Sequence, residues 1–189
     1  MAQHLRVIAG SAGGRRLSAP KGDAIRPTTG RVKEAVFSAL AAREHLLGAH
    51  VLDLYAGTGA LAIEALSRSA ARAVLVEQDG DALAALRRNL SVTGTATNAS
   101  VVTADVAVFL GAPPPDAAPF DLVLCDPPYD VDSAALDAAI APLGRREWTH
   151  DEALVVVERP VGAAPPHVEG MRIDWERKFG DTLAFFLSA

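Results

Sequence analysis

The sequence predicts one α/β domain of the Rossmann-like kind, built on a mostly parallel sheet, with a small basic extension at its N-terminus. Three observations carry this. From residue 50 onward, short apolar runs alternate with amphipathic helical stretches; a glycine-rich turn joins the first run to a helix; and the last two runs are separated by a tight turn. A chain of 189 residues, half of them hydrophobic and 22% charged, suits a single core. Cys125 is the only cysteine, which excludes a disulfide framework and a cysteine-based zinc site. The five histidines lack ligand spacing, so no metal is expected. No apolar run reaches the ~18 residues needed to span a bilayer, and the first residues do not read as a signal peptide. The expectation is a monomeric cytoplasmic protein with no membrane partner.

Residues 1–28 form the extension. Residues 5–9 read as a short strand, and Gly13-Gly14 as a turn into Arg15-Arg16-Leu17, which makes a small hairpin. Residues 29–189 form the main domain. Pro27-Thr28-Thr29 reads as a turn and helix cap; Val32, Ala35, Val36, Ala39 and Leu40 then predict a helix over 30–47. Strands follow at 51–55, 73–77, 100–104, 121–125 and 153–157. Helices fall between them at 60–69, 81–93 and 133–142, with a helical turn at 106–110. Leu83, Leu86 and Leu90 share one side of the 81–93 helix. Ala112-Pro113-Pro114-Pro115 is a loop. Strands at 172–177 and 182–187, joined by Lys178-Phe179-Gly180-Asp181, close the chain as an antiparallel hairpin. Strands linked by crossover helices make a parallel sheet.

Charge is unevenly placed. Residues 1–33 hold Arg6, Arg15, Arg16, Lys21, Arg26, Arg31 and Lys33 against Asp23 alone, although the whole chain carries −5. A basic arm on an acidic body points to a polyanionic partner as much as to a solvated tail.

Asp53-Leu54-Tyr55-Ala56-Gly57-Thr58-Gly59 follows the first strand and opens a helix, and Glu77 lies twenty residues beyond Gly57, at the end of the second strand. This loop alone fits a dinucleotide and S-adenosylmethionine equally well. Electrostatics separates them. Asp53, Glu77, Asp105 and Asp126 stand at or just beyond four predicted strand ends, which share one edge of a parallel sheet. A pyrophosphate would face repeated like charge there. S-adenosylmethionine carries a sulfonium and an ammonium against one carboxylate, and suits an acidic rim. Asp53 is assigned to its methionine end, Glu77 to the ribose hydroxyls, Asp105 to the adenine amine, and Tyr55, Ala56, Gly57, Thr58 and Gly59 to the loop that cradles it. Asp126 also borders the cofactor.

Asp126-Pro127-Pro128-Tyr129 follows the fourth strand. Two prolines stop the sheet and remove amide donors, leaving a carboxylate, carbonyl oxygens and one aromatic ring. That is an acceptor-only clamp for an NH2 group on a flat ring. Asp126 and the Pro127 carbonyl orient the amine, and Tyr129 stacks on a flipped base.

These segments resemble the RsmD family, bacterial methyltransferases acting on the N2 amine of guanine 966 in 16S rRNA. The resemblance rests on Arg6-Val7-Ile8-Ala9-Gly10, Gly14-Arg15-Arg16-Leu17, the run from Arg26 to Glu34, the glycine loop, Glu64-Ala65-Leu66-Ser67-Arg68 and Asp126-Pro127-Pro128-Tyr129. Ala9 stands where many members have glycine, and Tyr129 where some have phenylalanine. The resemblance implies a seven-stranded class I methyltransferase sheet, S-adenosylmethionine as donor, and 16S rRNA in the 30S subunit or a late assembly intermediate as substrate. The extension then becomes an RNA grip, with Arg6, Arg15, Arg16, Arg26, Arg31 and Lys33 on phosphates. Two rival readings remain: a DNA adenine-N6 methyltransferase, because the clamp accepts any planar amine, and a non-catalytic RNA-binding assembly factor. A protein-glutamine methyltransferase is a further enzyme reading. Cys125, Trp148 and Trp175 are expected to pack, and Arg87-Arg88 and Arg145-Arg146 to be solvated.

Overall fold

The computed structural model describes residues 5–20 and 29–189. Seven strands form one sheet in the order β3-β2-β1-β4-β5-β7-β6. These are β1 (His50–Leu54), β2 (Arg72–Glu77), β3 (Ala99–Thr103), β4 (Phe120–Cys125), β5 (Thr149–Pro160), β6 (Arg172–Phe179) and β7 (Thr182–Ser188). The first five pair in parallel, and β7 enters antiparallel between β5 and β6. The expected closing hairpin is thus present, with its second strand innermost. β1 lies between β2 and β4, so the chain order reverses beside it and opens a crevice at the carboxyl ends.

Helices cover both faces, as parallel strands require. Alternate strand residues feed two cores. Val51, Leu122, Leu124, Leu154 and Val156 pack with α1 (Thr29–Ala42), α2 (Ala60–Ser67) and α3 (Gly80–Thr93). Leu52, Leu54, Val123, Val155 and Val157 pack on the other face with α4 (Val106–Gly111), α5 (Ser133–Ile140) and Trp148. Cys125 belongs to this second core. Trp175 stacks on Phe186, with ring centroids 3.4 Å apart and Arg43 over its ring. Both tryptophans are packing residues, as expected.

Two elements depart from the sequence expectation by more than two residues at an end. α1 stops at Ala42 rather than 47, because Glu44 takes a left-handed φ of 61° and the His45 amide turns back to the Leu40 carbonyl. β5 begins at Thr149 rather than 153: Thr149 pairs with Phe120, and an irregularity before Leu154 lets in the polar residues that hide the strand's start in sequence.

The N-terminal hairpin is real but is not a separate body. Arg6 and Arg16 bridge antiparallel, and the Val7 and Leu17 amides donate to the Arg15 and Leu5 carbonyls. Val7, Ala12 and Leu17 are buried in the first core. The turn lies against α2. Gly10 has a φ of 80°, and a Cβ there would stand 1.7 Å from the Ser67 carbonyl oxygen, so only glycine fits. Glu64, fully buried in α2, accepts from the Ile8 and Ala9 amides at 2.7 and 3.1 Å. It also pairs with Arg68 at 2.7 Å and Lys33 at 3.2 Å. Lys33 donates onward to the Arg6 carbonyl.

That arrangement corrects one expectation. Lys33 is 1% exposed and belongs to an internal ion cluster, so it is not a phosphate contact. Burial, which exceeds the opposing pull of Glu64, holds its amine below the ordinary lysine range. Breaking a buried pair from one side leaves an uncompensated charge, at a cost of about 3–5 kcal/mol. Glu64→Ala should therefore lower unfolding free energy by about that amount in urea titrations. Lys33→Met, which leaves Glu64 with Arg68 and two amides, should cost clearly less. Equal losses would show that Glu64 is not the hub.

Candidate active site

A cavity of about 810 Å³ opens at the carboxyl ends of the strands, where the crossover at β1 predicts a ligand site. One wall is Tyr55, Ala56, Gly57 and Thr58; another is Glu77, Gln78 and Asp79; a third is Asp105 and its neighbours. Asp126, Pro127 and Pro128 line the same space, together with Glu158 from the end of β5. The chain thus brings the glycine loop and the proline segment, separated by nearly seventy residues, onto one cavity.

The loop's turn comes from three left-handed residues at alternate positions. Tyr55, Gly57 and Gly59 have φ of 58°, 53° and 77°. Gly59 does not line the cavity. It precedes α2, and a Cβ on it would press on Leu75 and Leu86 at 3.3 Å, so its role is packing and turn geometry. Gly57 does line the cavity, and a Cβ there would meet nothing closer than 3.9 Å, so a side chain would take room that a ligand can use.

The carboxylates are held by backbone amides. Glu77 accepts from Gly57 at 2.7 Å and from Gln78 and Asp79 at 2.8 Å. Asp105 caps α4 through the Ala107 and Val108 amides. Asp53 is one residue inside the strand end, 1% exposed, and lies behind the loop rather than in the cavity lining. Its Oδ2 accepts from the Ala62 amide at 3.0 Å, while its Oδ1 is buried without a partner among the described residues. Burial pushes its carboxyl up to about 7, against the Ala62 hydrogen bond and with help from Asp126 and Glu77. Burial likewise pushes the Tyr55 hydroxyl up to about 12. A cation-bearing, phosphate-free ligand fits this set. The orphaned oxygen and the acidic rim favour positive charge, and Gly57 leaves the space; S-adenosylmethionine meets both conditions.

Tyr129 stands beside the cavity rather than in its lining. It is 37% exposed, with its hydroxyl 2.8 Å from Thr182 Oγ1 on β7. Arg6, Arg15 and Arg16 are exposed on the docked hairpin, and Arg15 donates to the Val92 carbonyl on α3. Arg26 and the Arg31 side chain lie outside the described residues.

Several residues at the site carry no motif. Glu158 lies near the end of β5, just after its apolar run. Arg159, buried beside it, donates to the Val131 carbonyl and Ser133 Oγ at 3.0 Å and so ties down the chain after the proline segment. Leu5, Ala19 and Pro20 of the hairpin also line the cavity. Asn89 connects Ser18 of the hairpin's exit to the glycine loop at Thr58; its one sequence signal is a polar residue next to Leu86 and Leu90 on the apolar side of α3. No helix of the described chain is long and apolar enough to cross a membrane, and the described residues contain no group of side chains suited to a metal ion.

Comparison with known proteins agrees with this reading. A family model described as conserved hypothetical protein 95 matches residues 5–188. The chain is 40% identical over 164 residues to ribosomal RNA small subunit methyltransferase D of Escherichia coli strain K12, covering 87% of this chain and 79% of that one. The solved structure of yhhF from Escherichia coli superposes with a TM-score of 0.84 at 36% identity, over 98% of both chains. Magnesium protoporphyrin IX methyltransferase from Synechocystis, solved with bound S-adenosylmethionine, shares the fold at a TM-score of 0.64 and 18% identity, over 87% of this chain and 81% of that one. The architecture is the class I methyltransferase sheet that the family resemblance implies.

The position of Asp53 has a measurable consequence. Its carboxyl is raised in the folded protein, so it stays protonated between pH ~4 and ~7 while the unfolded chain has already ionised. Folding stability should therefore fall as pH rises through that window and level off above it, by an amount on the order of 3–4 kcal/mol. Urea unfolding at pH 4.5 and 7.5 should show this loss, and Asp53→Asn should shrink it. An unchanged slope in the variant would assign the effect to other groups.

Proposed function

The chain belongs to the family described as conserved hypothetical protein 95, the RsmD family, and on that footing we propose that it methylates the N2 amine of guanine 966 in 16S rRNA, with S-adenosylmethionine as donor. The observation that carries this reading is the shared cavity: Asp126, Pro127 and Pro128 open onto the same space as the glycine loop, Glu77 and Asp105. The proposed substrate is the 30S subunit or its late assembly intermediate, and the enzyme acts as a cytoplasmic monomer.

S-adenosylmethionine, when bound, supplies a methyl group on a sulfonium that leaves as a neutral thioether. Gly57 and Thr58 would hold its methionine end, with Asp53 as buried countercharge behind them. The Glu77 carboxylate would take the ribose hydroxyls and Asp105 the adenine amine.

The protein's share of the chemistry is orientation. The N2 lone pair of guanine is delocalised into the ring, and acceptors that fix its two hydrogens favour turning that pair out of the ring plane. Asp126 accepts one hydrogen and the Pro127 carbonyl the other, while neither proline supplies a competing amide donor. Tyr129, fixed through Thr182, presents an exposed ring next to Pro128 as the stacking platform for a flipped base. Asp126 then takes the proton that the methylated amine releases. Holding the reacting atoms about 3–3.5 Å apart accounts for much of the rate. Arg6, Arg15, Arg16, Arg26 and Arg31 bear on phosphates and fix register without reading sequence.

Three experiments test this reading. Labelled methyl transfer to 30S subunits lacking the modification, with the product mapped on the rRNA, should locate the label on one guanine N2. Label on duplex DNA or on protein instead would favour the rival readings. Asp126→Ala should lower transfer by about 10²-fold or more while still binding S-adenosylhomocysteine by calorimetry; full turnover would remove the clamp. Because Asp53 titrates near 7 and its ionised form favours the ammonium at the ligand's amino-acid end, affinity for S-adenosylhomocysteine should rise by up to about tenfold from pH 6 to pH 8. Asp53→Asn should abolish that rise.

A further inference from the structure

Asn89 is completely buried on α3, yet its side chain touches two distant segments. Its Oδ1 accepts from the Ser18 amide at 2.7 Å, and its Nδ2 donates to the Ser18 carbonyl at 3.0 Å. This is a two-point clasp that pairs Ser18 as a neighbouring strand would. The same Nδ2 donates its other hydrogen to the Thr58 carbonyl at 2.9 Å. One amide group therefore fastens the hairpin's exit to the glycine loop. Its hydrogen-bonding capacity is almost fully used, and no other residue type of that size has the same donors and acceptor.

The link has a second, independent side. Leu5, Ala19 and Pro20 of the hairpin line the cavity that Gly57 and Thr58 also line. A ligand filling that cavity touches the hairpin on one side and the loop on the other. Arg6, Arg15 and Arg16 stand exposed on the same hairpin. The basic surface is thus carried by an element that also lines the cavity.

We infer that Asn89 is a positioning residue that couples cofactor binding to the docking of the basic hairpin, so that the RNA-contacting surface is fastened when the cofactor is in place. This rests on the cofactor and RNA assignments above. The physical reason is linkage. Binding that holds Thr58 in its loop geometry also holds Asn89, and Asn89 holds Ser18; by reciprocity, whatever pins the hairpin raises cofactor affinity by the same factor. Without Asn89, the Ser18 amide and the Ser18 and Thr58 carbonyls lose their partner, and the two segments respond to ligand separately.

The test uses the full chain and S-adenosylhomocysteine. Amide hydrogen exchange over residues 5–20 should slow by about tenfold on saturation in the wild type, a coupling of ordinary size. In Asn89→Ala, that slowing should vanish even at concentrations where calorimetry shows the ligand bound, and the dissociation constant should rise by about the same factor. Ser18→Pro removes the hairpin's amide from the clasp and leaves α3 whole. The carbonyl of residue 18 still accepts from Asn89, so this variant should reduce the slowing clearly rather than abolish it, and it carries the test alone should Asn89→Ala fail to fold. Slowing that persists in folded, ligand-bound Asn89→Ala, or that is undiminished in Ser18→Pro, overturns the role of Asn89. Ligand binding in the wild type without any slowing overturns the coupling. Absence of binding in the wild type overturns the cofactor assignment itself, a result that calorimetry separates from the other two.

Discussion

The site depends on negative charge held by backbone amides instead of by cations. Glu77 leans on the amides of Gly57, Gln78 and Asp79, and Asp105 on those of Ala107 and Val108. Among the described residues, neither belongs to an ion pair. An amide stabilises a carboxylate without cancelling its charge, so the carboxyl edge of the sheet keeps a field that favours a cationic ligand. The fold itself produces this arrangement. Parallel strands end together, each is followed by a turn into a helix, and helix N-termini present unpaired amides at those turns. A pyrophosphate uses such amides directly; here carboxylates occupy them, which reverses the sign of the ligand that the edge accepts.

The opposite solution appears a few residues away. Glu64 is as deeply buried as Asp53 but is met by Lys33, Arg68 and two amides of the hairpin. One buried carboxylate is neutralised and joins segments; the other is left short and shifts its proton affinity. The two acids differ in partners: Glu64 sits in an ion cluster, and Asp53 has one oxygen without a partner among the described residues. The Glu64 cluster also explains why the N-terminal extension is not an appendage. Its turn is pinned at Glu64 and Ser67, and its exit at Asn89. Its basic side chains stand outward because its apolar ones complete the first core.

Local pattern made the sheet legible. β1, β2 and β4 are apolar runs with turn signals at each end, and the Asp-Pro-Pro-Tyr segment announces the end of β4 by removing amide donors. Each cavity wall built by such a run was therefore visible, including Glu77 and Asp126. What sequence left hidden depends on contacts between distant residues. Lys33 looks like one more basic residue in a basic arm, and only the packing of α1 on α2 turns it inward to Glu64. Asp53 looks like a rim acid, but the pleat directs it behind the loop. Tyr129 follows the clamp in sequence, yet Thr182 holds its hydroxyl away from the cavity lining. The roles of Asn89 and Arg159 follow from hydrogen bonds across large sequence separations, for which a single sequence offers no period or spacing.

The strain in the glycine loop bears on why binding there can be felt elsewhere. Tyr55 takes a left-handed φ without being glycine, which costs on the order of 1–3 kcal/mol and persists only where neighbours enforce it. Its neighbours on either side of the loop are the buried, under-partnered Asp53 and a cavity, neither of which stabilises the loop strongly on its own. Asn89 supplies a firm contact at the Thr58 carbonyl, and that contact is shared with the hairpin. The loop is strained at Tyr55 and is held by the Ala56 amide on the Val76 carbonyl, the Gly57 amide on Glu77 and the Thr58 carbonyl on Asn89. Of these contacts, the one through Asn89 is shared with the hairpin, so what ligand contacts fix at Thr58 is passed on through that side chain.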